Sequence, residues 1–91
     1  MTAKWRGAAL ADLKNIRGYL APRNAQAAQR VLQAIVVAAD GLQLFPHRGR
    51  PGRVTGTREI VALREYVIVY SVRGNLVVVE RIWHGAQSRQ D

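Results

Sequence analysis

The sequence contains no cysteine, and this absence excludes several kinds of protein. Without thiols the chain can form no disulfide scaffold, no thiolate zinc site and no cysteine nucleophile. The two histidines cannot bind a metal ion without further ligands. We therefore predict neither a metal site nor a cofactor.

Long hydrophobic runs are also missing. The longest uninterrupted apolar run covers residues 34–39, far below the roughly 20 residues of a membrane-spanning helix. At the N-terminus, Lys4 and Arg6 are followed by too few uncharged residues for the apolar region of a secretory signal. We therefore expect a cytoplasmic protein without a membrane partner.

Acidic residues are scarce. Six Asp and Glu stand against 14 Lys and Arg, which gives a net charge of +8. Most of the cations are arginines, whose planar guanidinium can pair bidentately with phosphate or carboxylate. This balance favours an acidic partner, either nucleic acid or an acidic protein segment. With 48% hydrophobic residues and 91 residues in all, we predict one folded domain over residues 1–91.

Two helices are predicted in the first half of the chain. Residues 8–21 carry apolar side chains at helical spacing: Ala9, Leu10, Leu13, Ile16 and Leu20. Pro22 is expected to end this helix, and Asn24 offers an N-cap for a second helix with an apolar stripe from Ala28 to Leu42. Because the connection is short, the helices are expected to pack antiparallel as a hairpin.

The second half of the chain changes in composition. Residues 45–56 form a loop rich in Gly and Pro that also contains His47, Arg48, Arg50 and Arg53. Three runs of β-branched and aromatic residues follow, at 58–63, 66–72 and 76–83. These runs predict three consecutive strands.

A tight turn at Gly74-Asn75 is expected to join the last two strands. In that register Val72 opposes Val77 and Tyr70 opposes Val79. Six side chains then share one face of the hairpin: Tyr66, Ile68, Tyr70, Val79, Arg81 and Trp83. With a short edge strand over residues 3–6, anchored by Trp5, the order β-α-α-β-β-β predicts an α+β fold, a helical hairpin packed on a small antiparallel sheet of three to four strands.

Short segments with a recognisable order and spacing run through most of the chain. The earlier ones are Trp5, residues 11–13 and the FPHRGR segment at 45–50. The more specific ones are listed here: GTREIV at 56–61, YVIVY at 66–70 and RIWHGAQ at 81–87. The ordered set resembles the RelE/ParE superfamily of bacterial type II toxins, also called plasmid stabilisation proteins, and in particular its ParE-like branch.

This resemblance implies a toxin that inhibits bacterial growth and is neutralised in a hetero-oligomer by a cognate antitoxin of ParD or RelB type. It also implies one of two targets. ParE-type members poison DNA gyrase and trap cleaved DNA, whereas RelE-type members are ribosome-dependent mRNA endonucleases. One scaffold serves both activities, so the fold cannot choose between them. The resemblance implies that efficient RelE-type nucleases carry either Lys/Arg clusters with a C-terminal Tyr or a Glu/His pair. This chain has no Lys after Lys14 and no Tyr after Tyr70, and we therefore expect gyrase inhibition.

The two targets assign different roles to the same residues. Under gyrase inhibition no residue is catalytic, and the expected contacts with target or antitoxin are Arg58, Arg81, His84, Gly85, Gln87 and the loop residues Arg48, Arg50 and Arg53. Under mRNA cleavage, His84 is the acid/base group, and Arg58, Arg64 and Arg81 surround the phosphate.

Each of these residues also has a structural interpretation. His84 is a candidate turn or capping residue, and Arg81 could stack on aromatic rings or pair with Glu59 or Glu65. Arg58 could form a structural salt bridge, and the loop arginines could form a solvated face. A third hypothesis, a simple nucleic-acid-binding module, rests on the charge alone and predicts weak, salt-sensitive binding.

Overall fold

A computed structural model of the chain describes residues 3–84. It contains two helices, α1 (Gly7–Leu20) and α2 (Ala25–Gly41), and five strands. The strands are β1 (Lys4–Trp5), β2 (Arg50–Pro51), β3 (Arg58–Ala62), β4 (Tyr66–Arg73) and β5 (Leu76–His84). Within residues 3–84, neither helix is long and apolar enough to cross a lipid bilayer.

The helical hairpin forms where the sequence predicts it. The Asn24 side chain accepts a hydrogen bond of 3.0 Å from the backbone N–H of Ala27 and so caps α2. The α2 stripe is confirmed, since Ala28, Ile35, Ala39 and Leu42 are buried. The assignment of Leu10 to the α1 stripe is wrong, because this side chain is 53% exposed.

The predicted α+β fold is confirmed, but the sheet has more strands than expected and is mixed, whereas the prediction was a purely antiparallel sheet. The sheet order is β1-β5-β4-β3-β2; β1 runs parallel to β5, and the other pairs are antiparallel. The extra strand is β2, a two-residue edge strand inside the Gly/Pro-rich loop, which pairs with Arg58 and Glu59 of β3. Its proline is compatible with an edge position, where one side of the strand donates no ladder hydrogen bond.

The hairpin of β4 and β5 has the expected register only near its turn. Val72 pairs with Val77 and Tyr70 pairs with Val79, as predicted, but Val69 pairs with Arg81. Glu80 is therefore an extra residue in a β-bulge, which reverses the faces of the residues that follow it. The prediction that Arg81 and Trp83 share a face with Tyr70 is wrong.

The core lies between the helices and one face of the sheet. Its buried members include Ile35, Ala39 and Leu42 from the α2 side, and Ile68, Tyr70, Val77, Val79 and Ile82 from the sheet. Ile82 belongs to this core because of the bulge, three positions after Val79. Trp5, Leu13 and Ile16 pack against the same cluster and join β1 and α1 to it.

Candidate functional site

A groove of about 520 Å³ opens between α1 and the adjoining ends of β4 and β5. Its floor is apolar and its rim carries polar and charged groups. Residues 12–20 of α1, somewhat more than two turns, form one wall, and the beginning of β4 with the end of β5 forms the other. The lining residues are Asp12, Asn15, Ile16, Tyr19, Leu20, Glu65, Tyr66, Ile82 and His84.

Asp12 links α1 to β5 beside this groove through hydrogen bonds. Its carboxylate accepts hydrogen bonds from Arg81 Nε at 2.7 Å, from Arg81 Nη2 at 2.9 Å and from the backbone N–H of Ile82 at 2.9 Å. The hydrogen bond to Asp12 raises the pKa of Arg81. Since β1 pairs with β5 only at Val78 and Val79, the carboxylate occupies the edge of β5 just beyond that pairing.

His84 lies at the mouth of the groove. Its Nε2 is 3.6 Å from a carboxylate oxygen of Glu65, and its ring packs edge-on against Tyr66 with centroids 5.4 Å apart. Burial and the neighbouring Glu65 carboxylate raise the pKa of Tyr66. The turn before Glu65 is strained, because Leu63 and Arg64 adopt positive φ angles of 52° and 65°, which disfavour residues other than glycine.

The basic loop is held by a buried tyrosine and an arginine. Tyr70 Oη donates to the carbonyl of Pro46 at 2.7 Å and accepts from the N–H of Gly49 at 3.0 Å. Arg58 Nη1 donates to the carbonyls of Gly49 at 2.8 Å and His47 at 3.2 Å. Gly49 is required here, because a Cβ atom would lie only 2.6 Å from Tyr70 Oη.

Two of the other loop arginines, Arg50 and Arg53, contact Glu59, which is buried. Arg50 donates through Nε and Nη2 to one oxygen of this carboxylate at 3.3 and 3.2 Å. The backbone N–H of Arg53 lies 3.4 Å from the other oxygen, and the Arg53 guanidinium is 5.8 Å from the centre of the Trp83 ring. The Arg48 side chain is exposed.

The predicted site residues therefore occupy separate places. His84 pairs with Tyr66 across the β4–β5 hairpin, whereas Arg58 pairs with Tyr70, four positions along β4, which is about 13 Å at the rise of a strand. Arg81 is paired with Asp12, and Arg64 lies exposed in the β3–β4 turn. Gly85 and Gln87 lie outside the described residues.

Two structural alternatives for the arginines need correction. Arg81 pairs with Asp12 and with neither Glu59 nor Glu65. Arg58 holds backbone carbonyls and forms no salt bridge with a carboxylate of residues 3–84. Sequence reasoning missed Asp12 as a member of the site, because its partners lie 69 and 70 positions away along the chain.

Comparison with known proteins places this fold among bacterial toxins of toxin-antitoxin systems. The fold is similar to that of a chain from the chromosomal ParDE TA system of P. aeruginosa, with a TM-score of 0.82, 28% identity, and coverage of 92% of this chain and 95% of the other. Toxin RelE2 of Caulobacter vibrioides is 43% identical over 83 residues, covering 91% of this chain and 93% of the relative. Toxin RelE1 of the same organism is 38% identical over 81 residues, covering 86% of each.

The family described as the ParE toxin of type II toxin-antitoxin system, parDE, matches residues 3–89. The chain belongs to this family. The resemblance to the RelE/ParE superfamily that the sequence segments indicated is thereby confirmed.

Proposed function

We propose that this toxin acts on DNA gyrase, by binding the enzyme and trapping cleaved DNA, and that a cognate antitoxin neutralises it. The observation that carries the proposal is the separation of the groups that cleavage of RNA requires. General acid-base cleavage needs a proton-transfer group and several cations around one phosphate. Here His84 and Arg58 lie at different positions of the sheet, and Arg81 is engaged by Asp12.

The charges around His84 support the same proposal. The groove beside it carries the carboxylates of Glu65 and Asp12, with the nearer one 3.6 Å from the imidazole. The Glu65 carboxylate would repel a phosphate that enters beside His84, because like charges at such distances interact unfavourably. An apolar floor formed by Ile16, Leu20 and Ile82 suits a protein side chain better than a phosphodiester.

The antitoxin proposal rests on the family and on the charge of the chain. A net charge of +8 attracts an acidic protein segment and speeds its association. We expect that the toxin alone arrests growth or accumulates poorly, and that co-expression with the protein encoded beside it gives a stable complex. Normal growth together with a high yield of the lone toxin would contradict this part of the proposal.

Replacement of His84 by Ala tests binding against cleavage. A ribonuclease that uses His84 as its acid/base group should lose about 10²–10⁴-fold in rate. A gyrase inhibitor should lose far less, since the side chain is one rim contact, 47% exposed. The variant and the parent are compared by the toxin concentration that gives half-maximal growth arrest, with Arg30→Ala, on the exposed face of α2, as a surface control. Loss of all toxicity in a folded His84→Ala variant would contradict the gyrase proposal.

A further inference from the structure

A second, smaller cavity lies at the opposite end of β3 from the groove. It has a volume of about 280 Å³ and opens between the basic loop and the first residues of β3. Its lining residues combine one arginine and one histidine with small or apolar residues. The lining residues are His47, Pro51, Gly56, Thr57, Arg58 and Val72.

Arg58 differs in its partners from the arginines that form salt bridges within residues 3–84. Arg23, which is exposed, also donates to a backbone carbonyl, that of Tyr19. Arg6, Arg50 and Arg81 each pair with a carboxylate. Arg58 is half-buried, yet the acceptors of its hydrogen bonds are the neutral carbonyls of His47 and Gly49. These bonds use Nη1 alone, so the guanidinium is fixed in place while its charge is not compensated by any carboxylate in residues 3–84.

The surroundings of this cavity are basic. The stretch from Gly41 to Arg58 contains four arginines and one histidine and no acidic residue. Glu59 follows directly, but successive residues of a strand point to opposite faces, and the Glu59 carboxylate is occupied by Arg50 and the backbone N–H of Arg53. A fixed, uncompensated cation in such a field favours an anionic ligand.

We propose that this cavity, which we call the Arg58 pocket, binds a phosphate group of the DNA backbone. In this proposal the side chain of His47, a second lining residue, donates an N–H to the phosphate, since a neutral or charged imidazole has at least one. A volume of about 280 Å³ accommodates a phosphate group. The inference rests on the proposed function, in which cleaved DNA is the nucleic acid beside the toxin; the pocket would place the toxin in direct contact with that DNA.

The test is the salt dependence of binding to a fluorescent 20-base-pair DNA duplex, measured by anisotropy with the full chain. Each neutralised phosphate contributes about 0.9 to the slope of log K against log salt concentration. Arg58→Gln should therefore reduce the slope by about 0.9, whereas Arg58→Lys, which keeps the charge, should retain it. Arg17→Gln removes the same charge from α1, away from the pocket, and should leave the slope unchanged.

Arg58 also holds the loop, so Arg58→Gln could reduce DNA binding by disturbing the fold of the loop. A second variant, at a residue whose side chain makes none of these loop contacts, separates the two effects. His47→Ala, which removes every side-chain donor, leaves the loop contacts intact, since His47 takes part in them through its backbone carbonyl. It should weaken duplex binding by about tenfold, the effect of one hydrogen bond to a charged group. Equal slope losses in Arg58→Gln and Arg17→Gln would overturn the proposal, because they would mean that net charge alone drives binding. Arg58-dependent binding that favours a single-stranded RNA of equal length would also overturn it.

The outcome is separable from that of the gyrase proposal. If the toxin converts plasmid to linear DNA with gyrase while Arg58→Gln keeps the full salt slope, the pocket inference is wrong and the function stands. If the slope falls as expected but gyrase is unaffected, the phosphate site is supported and the gyrase target is wrong.

Discussion

The contact between Asp12 and Arg81 offers a direct test of whether Arg81 stabilises the fold or acts in target binding. Asp12 is 14% exposed and accepts three hydrogen bonds, two from Arg81 and one from the backbone of Ile82. Its replacement by Ala removes all three and leaves the Ile82 N–H without its acceptor. Replacement of Arg81 by Ala removes two, and Asp12 keeps the bond to Ile82.

The magnitude follows from these contacts. A hydrogen bond to a charged group contributes about 1.5–3 kcal/mol, but the Arg81 side chain is 47% exposed and solvent screens its share. We expect Asp12→Ala to lower the free energy of unfolding by about 2–4 kcal/mol and Arg81→Ala by about 1 kcal/mol. Because the two residues are in contact, the double variant should be less destabilised than the sum, with a coupling of about 1 kcal/mol.

The assay is urea denaturation of the purified variants, followed by tryptophan fluorescence, with Arg30→Ala as a surface control expected to change stability by less than about 0.5 kcal/mol. Trp5 and Trp83 lie on β1 and β5, close to the contact. The structural role of Arg81 is refuted if Asp12→Ala and Arg81→Ala each lower the free energy of unfolding by less than about 0.5 kcal/mol and if the double variant shows the sum of the two effects. A stable Arg81→Ala variant that has lost toxicity would instead assign Arg81 to the target.

Four further substitutions test the contacts of the loop, the cap of α2 and the carboxylate of Glu80. Gly49→Ala places Cβ 2.6 Å from Tyr70 Oη and 2.9 Å from the carbonyl of Glu59, so chemical denaturation should show a loss of about 1–3 kcal/mol, as for overpacked sites. Tyr70→Phe leaves the Gly49 N–H without its acceptor and should cost about 1–3 kcal/mol in the same assay; an unchanged midpoint would contradict the description of the loop. Asn24→Ala removes the α2 cap and should cost about 1 kcal/mol, seen as a lower melting temperature by circular dichroism. Burial raises the pKa of Glu80, but hydrogen bonds from Ser71 and Arg6 outweigh it and lower this pKa below its usual value of 4.5. The ionised Glu80 carboxylate therefore stabilises the fold above pH 4.5, and this stabilisation is lost as the pH falls through the lower pKa of the folded state. Glu80→Gln should make the free energy of unfolding less dependent on pH in that acidic range.

The helices and most strands could be predicted because their signals are local. Pro22 and Asn24 mark the connection between the helices, and the turn at Gly74-Asn75 fixes the nearest pairs of the last hairpin. Leu10 fails for a physical reason: its helical spacing fits the stripe, but that part of α1 faces solvent. The spacing of apolar residues predicts which face of a helix turns toward the core. How many residues of that face are buried depends on the elements that pack against it.

The bulge at Glu80 and the contacts of the site could not be predicted in the same way. The bulge returns Ile82 to the core and coincides with the hydrogen bond from its N–H to Asp12, a partner 70 positions away. The contacts of Arg58 could not be predicted for a second reason. Its hydrogen-bond acceptors are backbone carbonyls, and every residue has one whatever its side chain. The sequence identified the charged residues of interest, but their partners depend on long-range packing.

The central claim is that this toxin traps gyrase on cleaved DNA. The most direct measurement incubates the purified toxin with gyrase, ATP and supercoiled plasmid, and then examines the DNA by electrophoresis for linear product linked to protein. The account predicts linear plasmid that requires both gyrase and toxin and that disappears when antitoxin is added. Untouched plasmid from a preparation that still arrests cell growth would contradict the account and make ribosome-bound mRNA the leading target.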